Sequence, residues 1–304
     1  MPDTSIRTLR HWIAWAAERL EAAGVYCGHG TDNAWSEAEF LVLRALQLPL
    51  DLADAERDQL LPADQKESVM QLINARITTR KPAAYLLGEA WFAGLRFVVN
   101  EHVLVPRSPI AELIQERFSP WCRAGAVRRM LDIGTGSGCI AVASALAFPE
   151  ATVDAIDISA EALAVAQVNA IAHGVQQRVN LTRSDLFQEL GERQYDLIVA
   201  NPPYVDETDF ATMPAEYRHE PAAALRAGVD GLDVARRVLH VAGKHLAANG
   251  VLIMEVGNSE TALVQQYPQL PFLWLEFEHG GSGVLLLTRE ELQRWFSCQG
   301  LGPD

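Results

Sequence analysis

Asn201, Pro202, Pro203 and Tyr204 close an apolar run, YDLIVA. Two successive prolines exclude helix, remove two backbone donors and keep the chain extended and rigid. Asn201 brings a carbonyl acceptor and an amide donor, and the stiff backbone holds the Pro202 carbonyl outward. Together these acceptors could take both hydrogens of a planar –NH2 group while the aromatic face of Tyr204 packs on it. An amide nitrogen is a poor nucleophile because its lone pair is delocalised. Acceptors on its hydrogens raise its electron density, and alignment with an activated methyl group does most of the rest. That chemistry needs no metal, strong base or covalent nucleophile. The plainer reading is a rigid turn at a strand exit.

A second set lies upstream in DIGTGSGCIA. Gly134, Gly136 and Gly138 fit a turn that lets a ligand approach the backbone closely. A dinucleotide fingerprint is G-x-G-x-x-G, whereas this loop is G-x-G-x-G behind an aspartate. A pyrophosphate prefers a helix N-terminus without nearby negative charge. Asp132 better suits an amino-bearing ligand such as S-adenosylmethionine (AdoMet). Asp157, in DAIDIS, can accept from ribose hydroxyls. Asp185, in RSDLF, could accept from an adenine amino group. The plainer reading of Asp157 is a helix-entry residue beside Ser159 and that of Asp185 a cap, and neither separates NAD from AdoMet, which share adenosine.

These residues need a scaffold, and the pattern supplies one. From Arg129 onward apolar strands and helical stretches alternate. RMLDIG, ATVDAID, RVNLTRSD, YDLIVAN and VLIMEVG read as strands, and FLWLEFE with GVLLLT as a closing pair around HGGSG. Between them lie helices such as SAEALAVAQVNAIAHG, with Ser159 as N-cap, and LDVARRVLHVAGKHLAANG. Such alternation predicts an α/β fold with a mostly parallel sheet covered on both faces. Upstream the pattern is helical from Thr4 to about Ile77. Leu9, Trp12, Ile13, Ala16 and Leu20 share a face closed by Gly24, a second helix opens at Ser36 and stops at Pro49, and LPADQKESVMQLINARITTR is a third. EAWFAGLRFVVNEHVLVPR reads as a hairpin, followed by a helix from about Ser108 to Phe118.

The 304 residues carry a formal net charge of −14. An extended nucleic-acid footprint normally needs a basic surface, so the charge argues against DNA binding and suits a small molecule or a basic protein. Cys27, Cys122, Cys139 and Cys298 form no CxxC pair, so a zinc or redox centre has no support. No stretch is long enough to span a bilayer, MPDTSIRTLRHW holds no apolar signal core, and a reducing cytoplasm is the expected location.

LVPRSP, DIGTGSGCIA, DAIDIS, RSDLF, NPPYV, EYRHEP, GVDGL and EVGNS follow one another in this order over nearly the whole chain. The chain closely resembles the HemK-like protein N5-glutamine methyltransferases. YCGHGTDNAW and VPRSPI are most similar to the branch acting on the third protein of the large ribosomal subunit, ribosomal protein L-three. The resemblance implies a Rossmann-like AdoMet-dependent methyltransferase with a seven-stranded sheet. It implies a helical substrate-recognition domain over 1–86, a β-hairpin linker over 87–107 and a methyltransferase domain over 108–304. It implies AdoMet contacts by Gly134, Thr135, Gly136, Ser137, Gly138, Asp157 and Asn201, and substrate contacts by Asn201, Pro202, Pro203 and Tyr204. The substrate would be the free ribosomal protein or an assembly intermediate. His29 and Asp32 could share in recognition, and His219 and Glu220 could cover the site. The sister branch, which acts on peptide chain release factors, typically reads PRPDTE where this chain has PRSPIAE. It often carries tryptophan where this chain has Leu186, which with Phe187 falls on the adenine side. Release-factor methylation is thus one alternative. Adenine-N6 methylation of nucleic acid, whose target is also a planar amino group, is another. A dehydrogenase and a noncatalytic assembly factor that binds AdoMet are further readings.

Overall fold

The structure is a computed structural model that describes residues 7–123 and 125–298. Thr4 and Met1–Ile6 as a whole lie outside the described residues, as does the side chain of Cys298. The chain divides into two compact units: Met1–Ala90 with Pro214–His219, and Trp91–Met213 with Glu220–Asp304.

The first unit is helical. α1 (Leu9–Ala22), α2 (Ala34–Ala45), α3 (Ala63–Thr79) and the short α4 (Ala83–Leu87) enclose a core that includes Trp12, Ile13, Leu20, Leu41, Val69 and Ile73. The second helix starts two residues before Ser36, because the Asn33 side chain caps it by accepting from the Ser36 amide at 2.8 Å. Arg76 is fully buried and pairs with Glu37, also buried. A buried charge persists only when paired and hydrogen-bonded. Arg76 meets that condition by also donating to the Tyr26 carbonyl at 2.8 Å.

β1 (Glu89–Phe92) and β2 (Leu95–Val98) form a ribbon that turns at Ala93 and Gly94, both at positive φ. α5 (Ile110–Gln115) is shorter than the sequence suggests. There follow β3 (Arg129–Ile133), α6 (Cys139–Ala147), β4 (Thr152–Asp157), α7 (Ala160–Ala172), β5 (Val179–Arg183), β6 (Tyr195–Ala200) and α8 (Glu207–Thr212). α9 (Asp233–His245), β7 (Leu246–Glu255), α10 (Glu260–Gln266), β8 (Leu273–Trp274), β9 (Val284–Thr288) and α11 (Arg289–Cys298) complete it.

The seven strands run β5-β4-β3-β6-β7-β9-β8. The first five are parallel, and β9 is antiparallel to both β7 and β8. Side chains alternate between faces, as the pleat requires. Met130, Leu197 and Val199 enter one apolar layer with α5 and α6; Leu131, Ile198 and Ala200 enter the other with α9, α10 and α11. The mostly parallel, doubly covered sheet is the expected fold. One helix ends early: α9 stops at His245, although apolar spacing continues to Gly250. Leu246 already pairs with Tyr195, and a Cβ on Gly250 would lie 2.7 Å from the Tyr195 carbonyl oxygen, so backbone pairing overrides helical propensity.

Candidate active site

β3 and β6 are neighbours in register, Ile133 opposite Ala200, and the order of strands reverses between them. Helices leave such a point toward opposite faces and open a crevice beyond the strand ends. The glycine loop exits one strand and Asn201–Tyr204 the other. Gly134, Gly136 and Gly138 have φ of +71°, +54° and +78°, a region L side chains rarely adopt. A Cβ on Gly138 would lie 3.0 Å from the Ala166 Cβ on α7, so the start of α6 packs directly on its neighbour. A Cβ on Gly134 would lie 3.8 Å from the Asn201 carbonyl oxygen, so the two loops run side by side.

Two carboxylates fix the glycine loop. Asp157 accepts from the Gly136 amide and from the Ser159 amide, both at 2.9 Å. Burial raises its pKa, and these amide hydrogen bonds oppose the rise. Ser159 caps α7 as the sequence suggests, accepting from the Ala162 amide at 3.0 Å. Asp132 is buried, and its Oδ2 accepts from the Thr135 hydroxyl at 2.6 Å and the Ala141 amide at 3.1 Å. Its Oδ1 is buried with no hydrogen-bond partner. Burial pushes the Asp132 carboxyl up to about 7. Asp132 does not itself line the cavity described next; it stands behind the wall that Thr135 forms. Its acceptor is directed at the loop and the first turn of α6, where the sequence reading placed it against a ligand.

A cavity of about 470 Å³ opens at this edge of the sheet. Gly134–Ser137, Asp157, Asp185, Leu186, Asn201, Pro202 and Pro203 all line it, so most of the residues singled out in the sequence converge there. Gly138 sits just behind as the N-cap residue of α6. Asp185 lies two residues past the end of β5 and accepts from Arg237 at 2.8 Å. Leu186 lines the cavity with a φ of +52°. Phe187 does not line it: its ring is stacked on His245, with centroids 4.7 Å apart. Tyr204 is also absent from the lining, and its hydroxyl donates to Glu255 at 2.9 Å.

Residues 101–108 form a further wall. No sequence signal beyond the VPRSPI resemblance marks it as part of the site. Glu220 accepts from both terminal nitrogens of Arg107, at 2.7 and 2.8 Å, and from the Val105 amide at 3.0 Å. Glu220 therefore clamps the wall, a firmer task than the covering role expected of it. His219 belongs to the helical unit, where its ring lies 2.9 Å from the Thr79 carbonyl oxygen. His29 is buried in that unit against the Tyr217 ring, and Asp32 accepts from the Asn33 side chain. Among the described residues no cluster of His, Cys, Asp or Glu could hold a metal ion, and no helix is long and apolar enough to cross a membrane.

Residues 11–88 match the family model described as PrmC N-terminal domain, and residues 113–270 match Methyltransferase small domain. A protein named ribosomal protein uL3 glutamine methyltransferase from Bordetella pertussis is 48% identical over 288 residues, covering 94% of this chain and 97% of that one. The chain belongs to the uL3 glutamine methyltransferase family. A second such relative, from Francisella tularensis, is 46% identical and covers 96% of this chain and 93% of its own. As a member, the chain is a methyltransferase with AdoMet as methyl donor. Among solved structures, the hMettl16 catalytic domain in complex with an RNA hairpin superposes with a TM-score of 0.51 at 15% identity, over 76% of this chain and 85% of that one. At that identity the likeness concerns the fold alone.

Proposed function

We propose that the protein transfers a methyl group from AdoMet to the side-chain amide nitrogen of one glutamine in ribosomal protein uL3. The observation that carries this reading is the closeness of the two loops. Asn201 and Pro202 line the same cavity as the glycine loop, and the Asn201 carbonyl oxygen would lie 3.8 Å from a Cβ on Gly134.

The cavity suits AdoMet in size and in chemistry. Its volume falls in the range of about 300–1,000 Å³ usual for small-molecule sites. Three glycines leave the loop backbone without Cβ atoms, so a ligand can lie directly against it. Gly134, Thr135, Gly136, Ser137 and Gly138 would cradle the amino-acid portion. Asp157 would take the ribose hydroxyls, with Asp185 and Leu186 on the adenine side. When bound, AdoMet supplies an electrophilic methyl on a sulfonium. Asn201 and the Pro202 carbonyl would accept the two amide hydrogens, orient the nitrogen lone pair along the S–CH3 axis and raise its electron density. The nitrogen so held would give up one amide hydrogen as a proton on gaining the methyl group. Pro203 and Tyr204 fix how the loop leaves the site. Residues 1–86 would recognise the ribosomal protein, free or during assembly in the cytoplasm, with residues 87–107 as linker to the catalytic part. The acidic charge favours encounter with a basic protein and weakens with salt.

Transfer of radiolabelled methyl to purified uL3, a release factor and DNA, run in parallel, tests the reading. Label on one uL3 glutamine is expected. Label on the release factor alone would overturn the substrate assignment but keep the chemistry. Label on DNA adenine alone would overturn both.

A further inference from the structure

The EVGNS segment, residues 255–259, carries the chain from the end of β7 toward α10. β6 and β7 are paired up to Ala200 opposite Met254, so Asn201 and Glu255 are the next residues on adjacent strands. Three features of the segment close around Tyr204. The Tyr204 hydroxyl donates to Glu255 Oε1 at 2.9 Å. The Ser259 hydroxyl donates to the Tyr204 carbonyl oxygen at 2.7 Å. Gly257, at a φ of +48°, leaves room for the ring: a Cβ there would lie 2.5 Å from Tyr204 Cε2. A fourth contact comes from Gly231, where a Cβ would fall 2.3 Å from the Tyr204 carbonyl oxygen. Tyr204 thus sits in a socket that fits its ring, hydroxyl and backbone.

Glu255 has a second bond. Its Oε2 accepts from the Ser108 hydroxyl at 2.5 Å, and Ser108 lines the cavity. The side chain is 5% exposed. A buried carboxylate held by two neutral hydroxyls is a costly way to end a strand, because apolar residues would pack there without desolvating a charge. Both of its bonds end on parts of the site: one on the wall of the cavity, the other on the residue that follows Pro203.

We infer that Glu255 and Ser259 are positioning residues for methyl transfer, holding Tyr204 at its hydroxyl and its carbonyl and thereby setting the Asn201–Pro203 turn against the cavity. The inference rests on the methyltransferase reading proposed above. The two prolines make the turn stiff, so a displacement at Tyr204 is carried back to Asn201 instead of being absorbed. A reacting group displaced by about 1 Å can lose about a hundredfold in rate.

The test compares wild type, Glu255→Gln, Tyr204→Phe and the double variant. Methyl transfer to uL3 gives kcat and KM, calorimetry gives AdoMet affinity, and thermal melting gives the fold. Each single variant should lose about tenfold in kcat, with AdoMet affinity within about threefold of wild type. The double variant should be no slower than the slower single one, because both changes break the same link. Wild-type kcat in Glu255→Gln, or losses that multiply in the double variant, would overturn the inference. So would a loss of kcat that merely follows melting or AdoMet release. Should Glu255→Gln fail to fold, Ser259→Ala answers the same question: reduced kcat at unchanged AdoMet affinity is expected, and wild-type kcat refutes the role. Wild type separates the two claims. If it labels a release factor and leaves uL3 unlabelled, the substrate reading fails, and the variants are compared on the release factor.

Discussion

The two loops of the site leave neighbouring strands and reach their shapes by opposite means. Gly134–Gly138 is made of residues that adopt backbone angles others avoid, and it is held by carboxylates close in sequence. Asn201–Tyr204 is made of residues that allow few angles, and it is held through Tyr204 by Glu255 and Ser259. A flexible segment needs anchors within it, whereas a stiff one can be set from its end. The contrast suits their tasks: one must yield to a ligand pressed against its backbone, and the other must hold two acceptors still.

The largest effect that would sharpen this contrast lies in the stiff loop. Asn201→Ala removes an acceptor proposed for the reacting amide and should cut kcat about a hundredfold or more. AdoMet affinity, measured alongside, should fall much less. Equal losses in both would place Asn201 in cofactor binding alone. In the glycine loop the effect should appear in affinity instead. Asp157→Ala removes a ligand acceptor and the anchor of the Gly136 amide, and should weaken AdoMet binding by about 1.5–3 kcal/mol in calorimetry. Gly138→Ala adds a Cβ at a φ of +78° and 3.0 Å from Ala166. Strain at such a position costs about 1–3 kcal/mol, visible as a lower denaturant midpoint. An unchanged midpoint would mean that the start of α6 shifts freely.

A further effect is a pH slope. The Asp132 carboxyl is raised by burial from 3.8 to about 7. Between those values the folded protein holds a proton that the unfolded chain has released, so stability falls as pH rises through this window. Above about 7 the full cost is present, and below 3.8 it is absent. Asp132→Asn should remove this contribution and flatten the midpoint-versus-pH curve. An identical slope in both proteins would mean that Asp132 is ionised throughout.

Sequence separation distinguishes contacts that chain order brings together from those that it does not. Asp132 and Thr135 are 3 residues apart, and Asp157 and Gly136 are 21 apart within one β-α-β unit. Local pattern and chain order place these pairs together. Tyr204 and Glu255 are 51 apart, Arg107 and Glu220 are 113 apart, and Ser108 and Glu255 are 147 apart. Such pairs depend on strand register and loop packing, which periodicity does not encode. The same holds for Arg76 with Glu37, 39 residues away, since Arg76 looked like any charged residue of a surface helix. The central strands and the main helices are legible in apolar runs such as YDLIVA and VLIMEVG and in regular helical periods, whereas FLWLEFE yields only the two residues of β8. α4 and α8, of 5 and 6 residues, are too short to show a period. The setting of Tyr204 is not legible in NPPY itself: an aromatic after two prolines suggests a stacking face, and the room for its ring is left by the distant Gly257.

The central claim is that these loops together methylate one glutamine of uL3, and the modification itself is its most direct test. Ribosomal proteins from a strain lacking the gene for this protein can be compared with wild type by intact-protein and peptide mass spectrometry. The account predicts that uL3 alone becomes lighter by one methyl group, that the missing group maps to a glutamine side chain, and that wild-type protein restores it while the Asn201→Ala variant does not. Unchanged uL3 in that strain would contradict it.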